Sequence, residues 1–185
     1  AFINYGGIQA IQTLWAGPWM LNITGYTPLQ SATGLFWINI TMLISYFIWG
    51  YILPKISEYG ISSIKLIKLG LPISYFSLFL IIYFGNNAGA FLFTLYIMTS
   101  IVISLTQPAI ALNFSKNLAG KSLTSYNVFL FSGTFFIQWG IGLVIDLCNN
   151  NGFDIVSSYR ISFSVFLILC VLSYIFFIYL NKNEN

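Results

Sequence analysis

Amides set inside apolar runs are the residues of this sequence best placed to do chemistry. Gln9 and Gln12 lie in the first run, Asn39 in the second, Gln107 in the fourth, and Asn127 and Gln138 in the fifth. An uncharged amide both donates and accepts hydrogen bonds, so a set of them suits a neutral or zwitterionic solute. Inside a membrane such groups are costly unless they face protein or water. Any single one is accounted for by an inter-helix hydrogen bond of about 0.6–2 kcal/mol. The set as a whole points to a polar cavity, because the third and sixth runs carry no amide and read as outer supports. Gln9, Gln12 and Trp15, with Trp19 one turn on, recur at helical spacing and define one helix face. Trp15 adds an indole over which a cation can sit. Trp19, nearer the end of the run, reads as an interfacial aromatic.

Other chemistries are thin. The 185 residues contain no histidine, which removes a His general base, a haem ligand and His-containing zinc sites. Two cysteines, Cys148 and Cys170, cannot close a tetrahedral metal site or form a disulfide framework. No buried carboxylate pair or nucleophile is visible in the runs, so neither an enzyme nor a cofactor is expected. Charged residues make up 6% of the chain and hydrophobic residues 58%, far from the roughly 25% charge of a soluble domain. A water-compatible surface cannot be built from so few charges, and the scattered cations form no nucleic-acid-binding patch.

The elements that must carry the amides are transmembrane helices, each needing about 20 mostly apolar residues. Six windows qualify: 2–21, 29–53, 64–84, 88–114, 123–147 and 161–180. They form one transmembrane domain. The runs are too long and too little alternating for barrel strands. Thr27-Pro28-Leu29-Gln30 reads as a capping box with proline at the first helical position. Gly85-Asn86-Asn87 reads as a tight hairpin, and residues 115–122 as the loop between the fourth and fifth spans. Six of the seven cations (Lys55, Lys65, Lys68, Lys116, Lys121 and Lys182) fall on one side, with Arg160 alone on the other. The positive-inside rule makes that side cytoplasmic, with both ends of the chain. The chain starts at Ala1 in apolar sequence with no basic n-region, which suggests a fragment.

Amide content repeats with a period of three spans: amide, amide, none. Trp49-Gly50 and Trp139-Gly140 echo each other at an offset of 90 residues. Pro18 interrupts the first span and Pro108 the fourth, corresponding members of two three-span units. An odd number of spans per unit makes the units inverted, as in secondary transporters, where interrupted helices mark the binding site. Gly133, Gly140 and Gly142 in the fifth span allow close helix approach.

Leu14-Trp15-Ala16-Gly17-Pro18-Trp19, Ala119-Gly120-Lys121 followed by Asn127, Gln138-Trp139-Gly140-Ile141-Gly142, and Tyr159-Arg160 are together similar to segments of a bacterial group within the major facilitator superfamily. Over its whole length the chain resembles the C-terminal half of such a transporter, spans seven to twelve. The family's loop motif after its eighth span is altered here: Gly50 is followed by Pro54-Lys55 where an Asp-Arg pair would stand, with Gly60 and Lys65 beyond. The resemblance implies an all-α membrane fold of two inverted three-helix repeats. It also implies alternating access of a small polar solute, and residence in the bacterial inner membrane. The partner would be a missing N-terminal six-helix half or a second copy. Cavity-lining candidates are Gln9, Gln12, Trp15, Asn39, Gln107, Asn127 and Gln138. The competing expectation is a non-catalytic structural or accessory subunit of a membrane complex, which would explain the scarcity of charge but not the period of three.

Overall fold

A computed structural model describes residues 1–182, except for the side chain of Lys116; Glu184 lies outside the described residues. The described chain is all helical and forms six rods. The first, α1, covers residues 2–22 as an α-helix Phe2–Ala10, a π turn Ile11–Trp15 and an α-helix Ala16–Asn22. Then come α2 (Pro28–Glu58) and α3 (Ser63–Phe84, ended by a 3-10 turn Gly85–Asn87). The fourth rod, α4, covers Ala90–Asn113, with a 3-10 turn at Ile101–Leu105. The last two are α5 (Lys116–Asn150) and α6 (Ile155–Leu180).

Five rods, α2 to α6, are long and apolar enough to cross a membrane. The first window of the sequence reading is the exception. Asn4, Gln9, Gln12 and Thr13 dilute its apolar content. It is also the rod that packs against α2, α4, α5 and α6, so protein rather than lipid surrounds much of it.

Local chemistry explains the ends. Thr27 and Gln30 make the reciprocal capping box: Gln30 N–H donates to Thr27 Oγ1 (3.3 Å), and Thr27 N–H donates to Gln30 Oε1 (2.9 Å). Ser62 caps α3 by accepting from Lys65 N–H at 3.2 Å. Asp154 caps α6 by accepting from Ser157 N–H at 3.1 Å, and the Ser157 hydroxyl, with this N–H, holds its exposed carboxyl below the ordinary carboxylate range. That cap starts α6 six residues before the predicted window. Most of the expected loop over residues 115–122 is instead helix, residues 116–122 making the first two turns of α5 and leaving only Phe114 and Ser115 between α4 and α5. Leu118, Ala119 and the lysines are good helix formers, and their polar neighbours need only to lie outside the apolar layer.

The irregular turns of α1 and α4 each lie just before a proline, although Pro54 and Pro72 sit inside α2 and α3 without one. Proline lacks an N–H and its ring crowds the carbonyl four residues back. For Pro18 that carbonyl belongs to Leu14, inside the π turn; for Pro108 it belongs to Ser104, inside the 3-10 turn. The two irregular turns stand 90 residues apart, the offset of the Trp-Gly echo.

The rods pair as α1 on α5 and α2 on α4, with α3 against α4 and α6, and α5 against α6. The closest approach is α1 on α5. A Cβ built on Gly6 would stand 2.5 Å from the Gly133 carbonyl carbon, and one on Gly133 would stand 2.3 Å from the Phe2 carbonyl oxygen. The core runs between Trp19, Phe93 and Phe163, with ring centroids of Trp19 and Phe163 4.8 Å apart. Trp19 is therefore fully buried, not interfacial. The π turn puts an extra residue into one turn of α1, so the residues after it are rotated away from the stripe projected from Gln9.

Rod ends gather at two levels. At one, Lys68 Nζ donates to the Asn181 carbonyl (2.7 Å), and Ala1 shares a cavity with Ile67 and Leu180. The α2–α3 link and the end of α4 meet there too. At the other, Thr24 Oγ1 donates to the Ala88 carbonyl (3.0 Å) and Arg160 Nε to the Ile82 carbonyl (2.9 Å). The expectation that α3 is an outer support fails: 44% of its most apolar stretch is buried, as much as in α4, against 22% for α6. Ser74, Tyr75 and Ser77 give α3 a buried polar face that an amide count overlooks.

Candidate functional site

Three of the candidate amides take part in hydrogen bonds between helices. Gln12 Nε2 donates to Asn39 Oδ1, joining α1 to α2. Gln138 Nε2 donates to Thr13 Oγ1 at 2.9 Å, joining α1 to α5. Thr13 Oγ1 in turn donates to the Gln9 carbonyl at 2.6 Å, and Asn39 Nδ2 to the Leu35 carbonyl at 2.7 Å. Gln12 and Thr13 both sit in the π turn, which aims consecutive residues at opposite neighbours. Asn39 and Thr13 are exposed and Gln12 and Gln138 half-buried, so this row of amide and hydroxyl groups lies open on the surface of the six-rod unit.

The other candidates are placed differently. Gln9 Nε2 donates to Tyr5 Oη at 3.3 Å, and the Tyr5 hydroxyl lies beside that of Tyr46 on α2. Trp15 is half-buried and clamps α1 to α5. Its Nε1–H donates to the Gln138 carbonyl at 3.2 Å, and its ring fits against Gly142, where an added Cβ would come within 3.2 Å. Gly142 thus makes room for an indole, whereas Gly140 faces open space. Gln107 lies apart from the row, in a small cavity of about 180 Å³ between α2 and α4 with Tyr46, Trp49 and Ser104. Asn127 is exposed on α5, on the stripe of Gln138 but three turns away, about 16 Å along the axis.

Several polar residues escaped the sequence reading. Asn4 is buried: its Oδ1 accepts from Tyr75 Oη at 2.8 Å and its Nδ2 donates to Ser173 Oγ at 3.3 Å, tying α1 to α3 and α6. Thr106 and Tyr126 hydrogen-bond α4 to α5. Thr13, the bridging hydroxyl of the row, is one residue from Gln12 and so off the helical stripe that was sought. Its signal was the polar triplet Gln12-Thr13 with Gln9 one turn before. Among the described residues no group of three potential metal ligands comes together, and Cys148 and Cys170 are separate free thiols.

The row can hold a small uncharged polar group by donor–acceptor exchange. It contains no group that titrates near neutrality and no nucleophile stronger than a hydroxyl. No protein-family model, curated protein or solved structure matches the chain.

Proposed function

We propose that the chain is a six-helix half of a secondary transporter of the major facilitator kind, in which α1, α2 and α5 present the solute-facing surface. The observation that carries this reading is the open row Asn39–Gln12–Thr13–Gln138, which spans three helices at the level of the π turn. Polar groups that only tie helices together belong inside the bundle, as Asn4 and Tyr75 do. Left on the outside of a membrane unit, they need water or a polar partner. A second six-helix unit placed over this face encloses them in a shared cavity.

Two further features support the reading. The irregular turns of α1 and α4 occupy corresponding places in two three-helix units, as discontinuous helices do in inverted repeats. The pairings α1 on α5 and α2 on α4 exchange with each other under the same correspondence. All six rods run between two levels, and the lysine-rich level is then the cytoplasmic one. Reporter fusions after Lys68 and Lys121 are expected to read as cytoplasmic and one at Asn150 as external; the opposite pattern removes the topology.

The test of the site is thiol labelling in the protein as made from its own gene, with Cys148→Ser and Cys170→Ala as background. Thr13→Cys and Asn39→Cys are expected to react with a membrane-impermeant thiosulfonate at least about ten-fold faster than Phe76→Cys, which faces away from the bundle, because only a hydrated thiol ionises. Equal protection at all three positions rejects the cavity and favours an accessory subunit whose open face is covered by a stable partner.

A further inference from the structure

A second surface feature stands apart from the polar row and does not depend on the transport reading. Both α2 and α3 pack on α4 but have no substantial contact with each other. Between them runs an apolar groove of about 380 Å³. Its walls include Ile48 and Trp49 of α2 and Leu69 and Ile73 of α3, and its floor is Val102 of α4. The floor is drawn close to α3 because Gly70 has no side chain: a Cβ there would meet Val102 at 2.9 Å. Ile48, Leu69 and Ile73 are exposed, so the groove opens outward, away from the helix bundle.

The groove leads to the lysine-rich level. On α2 its face continues from Ser45 and Ile48 through Ile52 to Lys55, at spacings of three and four. On α3 the face of Leu69 and Ile73 continues back to Lys65 by the same spacing. The link over residues 59–62 keeps the two lysines at one level. Lys55 is held in place: its Nζ lies 3.9 Å from the centroid of the Tyr51 ring and donates to Tyr51 Oη at 2.5 Å. Glu58 is the one carboxylate at this level among the described residues, against Lys55, Lys65, Lys68 and Lys121.

We infer that the groove binds an anionic phospholipid of the leaflet at the lysine-rich level, one acyl chain lying along Ile48, Trp49, Leu69 and Ile73 and the phosphate seated between Lys55 and Lys65. A membrane groove lined this way excludes water along its length and offers cations only at the headgroup level. That combination selects an anionic lipid over a zwitterionic one.

Trp49 is the reporter. The protein is reconstituted in phosphatidylcholine vesicles with a small mole fraction of phosphatidylglycerol brominated on its acyl chains, or of brominated phosphatidylcholine. Quenching is compared between the wild type and Trp49→Phe, so that the difference isolates Trp49. Brominated phosphatidylglycerol is expected to quench Trp49 at about five-fold lower mole fraction than brominated phosphatidylcholine. The preference is expected to fall to parity in the Lys55→Gln/Lys65→Gln variant and to persist in Lys121→Gln, whose charge lies on α5. Equal quenching by the two lipids in the wild type overturns the proposal. So does a preference lost equally in Lys121→Gln, which would mark unspecific attraction to the whole lysine-rich level. Labelling of Thr13→Cys and Asn39→Cys is independent of either result.

Discussion

Gly6→Val is expected to abolish the folded protein in the membrane, and Gly133→Val to do the same. The two glycines let the backbones of α1 and α5 touch, with hypothetical Cβ atoms 2.5 and 2.3 Å from partner carbonyl atoms. Ordinary overpacking costs about 1–3 kcal/mol because neighbouring side chains move aside. Here the obstacle is main chain, which cannot adopt another rotamer, so the helices must separate. Separation also breaks the Gln138–Thr13 and Trp15–Gln138 bonds that join the same two rods. Gly50→Val and Gly120→Val, where an added Cβ meets nothing within 4 Å, are the controls and are expected to fold. The measurement is the monodisperse fraction after detergent extraction, with thermal unfolding of what survives. If Gly6→Val extracts and melts like Gly50→Val, the α1–α5 contact is not as close as described.

The second large effect is at Trp19. Its indole is fully buried against Phe93, Tyr159 and Phe163. Truncating a buried tryptophan to alanine in a water-soluble core costs about 3–5 kcal/mol. In a membrane the unfolded reference keeps the indole in lipid, so the transfer share is lost and the cavity share remains. Trp19→Ala is then expected to cost about 2–3 kcal/mol, read as a lower unfolding temperature in detergent. Trp19 Nε1 has no hydrogen-bond partner, so Trp19→Phe keeps most of the packing without orphaning an acceptor and is expected to stay near wild type. Trp139→Ala, whose side chain is 60% exposed, sets the scale for a peripheral indole. Equal shifts for Trp19→Ala and Trp139→Ala would return Trp19 to an interfacial role.

Part of this architecture is legible in the sequence and part is not. Helix existence could be read from apolar runs of membrane length, and the Thr27 capping box fixed one end to the residue. The start of α5 could not, because Lys116 to Ser122 carry the composition of a loop while having the propensity of a helix. The depth of Trp19 could not, because a wheel drawn at regular α spacing takes no account of the π turn that Pro18 accompanies. For the site, Gln12, Asn39 and Gln138 are picked out by type; the structure hydrogen-bonds Gln12 to Asn39 and Gln138 to Thr13. Thr13 lies one residue off the stripe of Gln9 and Gln12, on a face that helical spacing does not mark. Gln107 and Asn127 share the amide chemistry but not the place, since amide content does not encode azimuth. Asn4 was overlooked at the edge of its window, although it holds three rods together.

The length of α5 has a mechanical meaning. Its 35 residues make a rod of about 52 Å, against a hydrocarbon thickness of about 30 Å. It carries Gln138 near its middle third and is linked to α4 by only two residues. A rod pivoting at its centre moves each tip by about 4–5 Å for a tilt of 10°, at about 1.5 Å of length per residue. In the proposed transporter, such a lever would convert a small angular change beside Gln12 and Thr13 into a displacement at the lysine-rich level, with no change inside the helix itself.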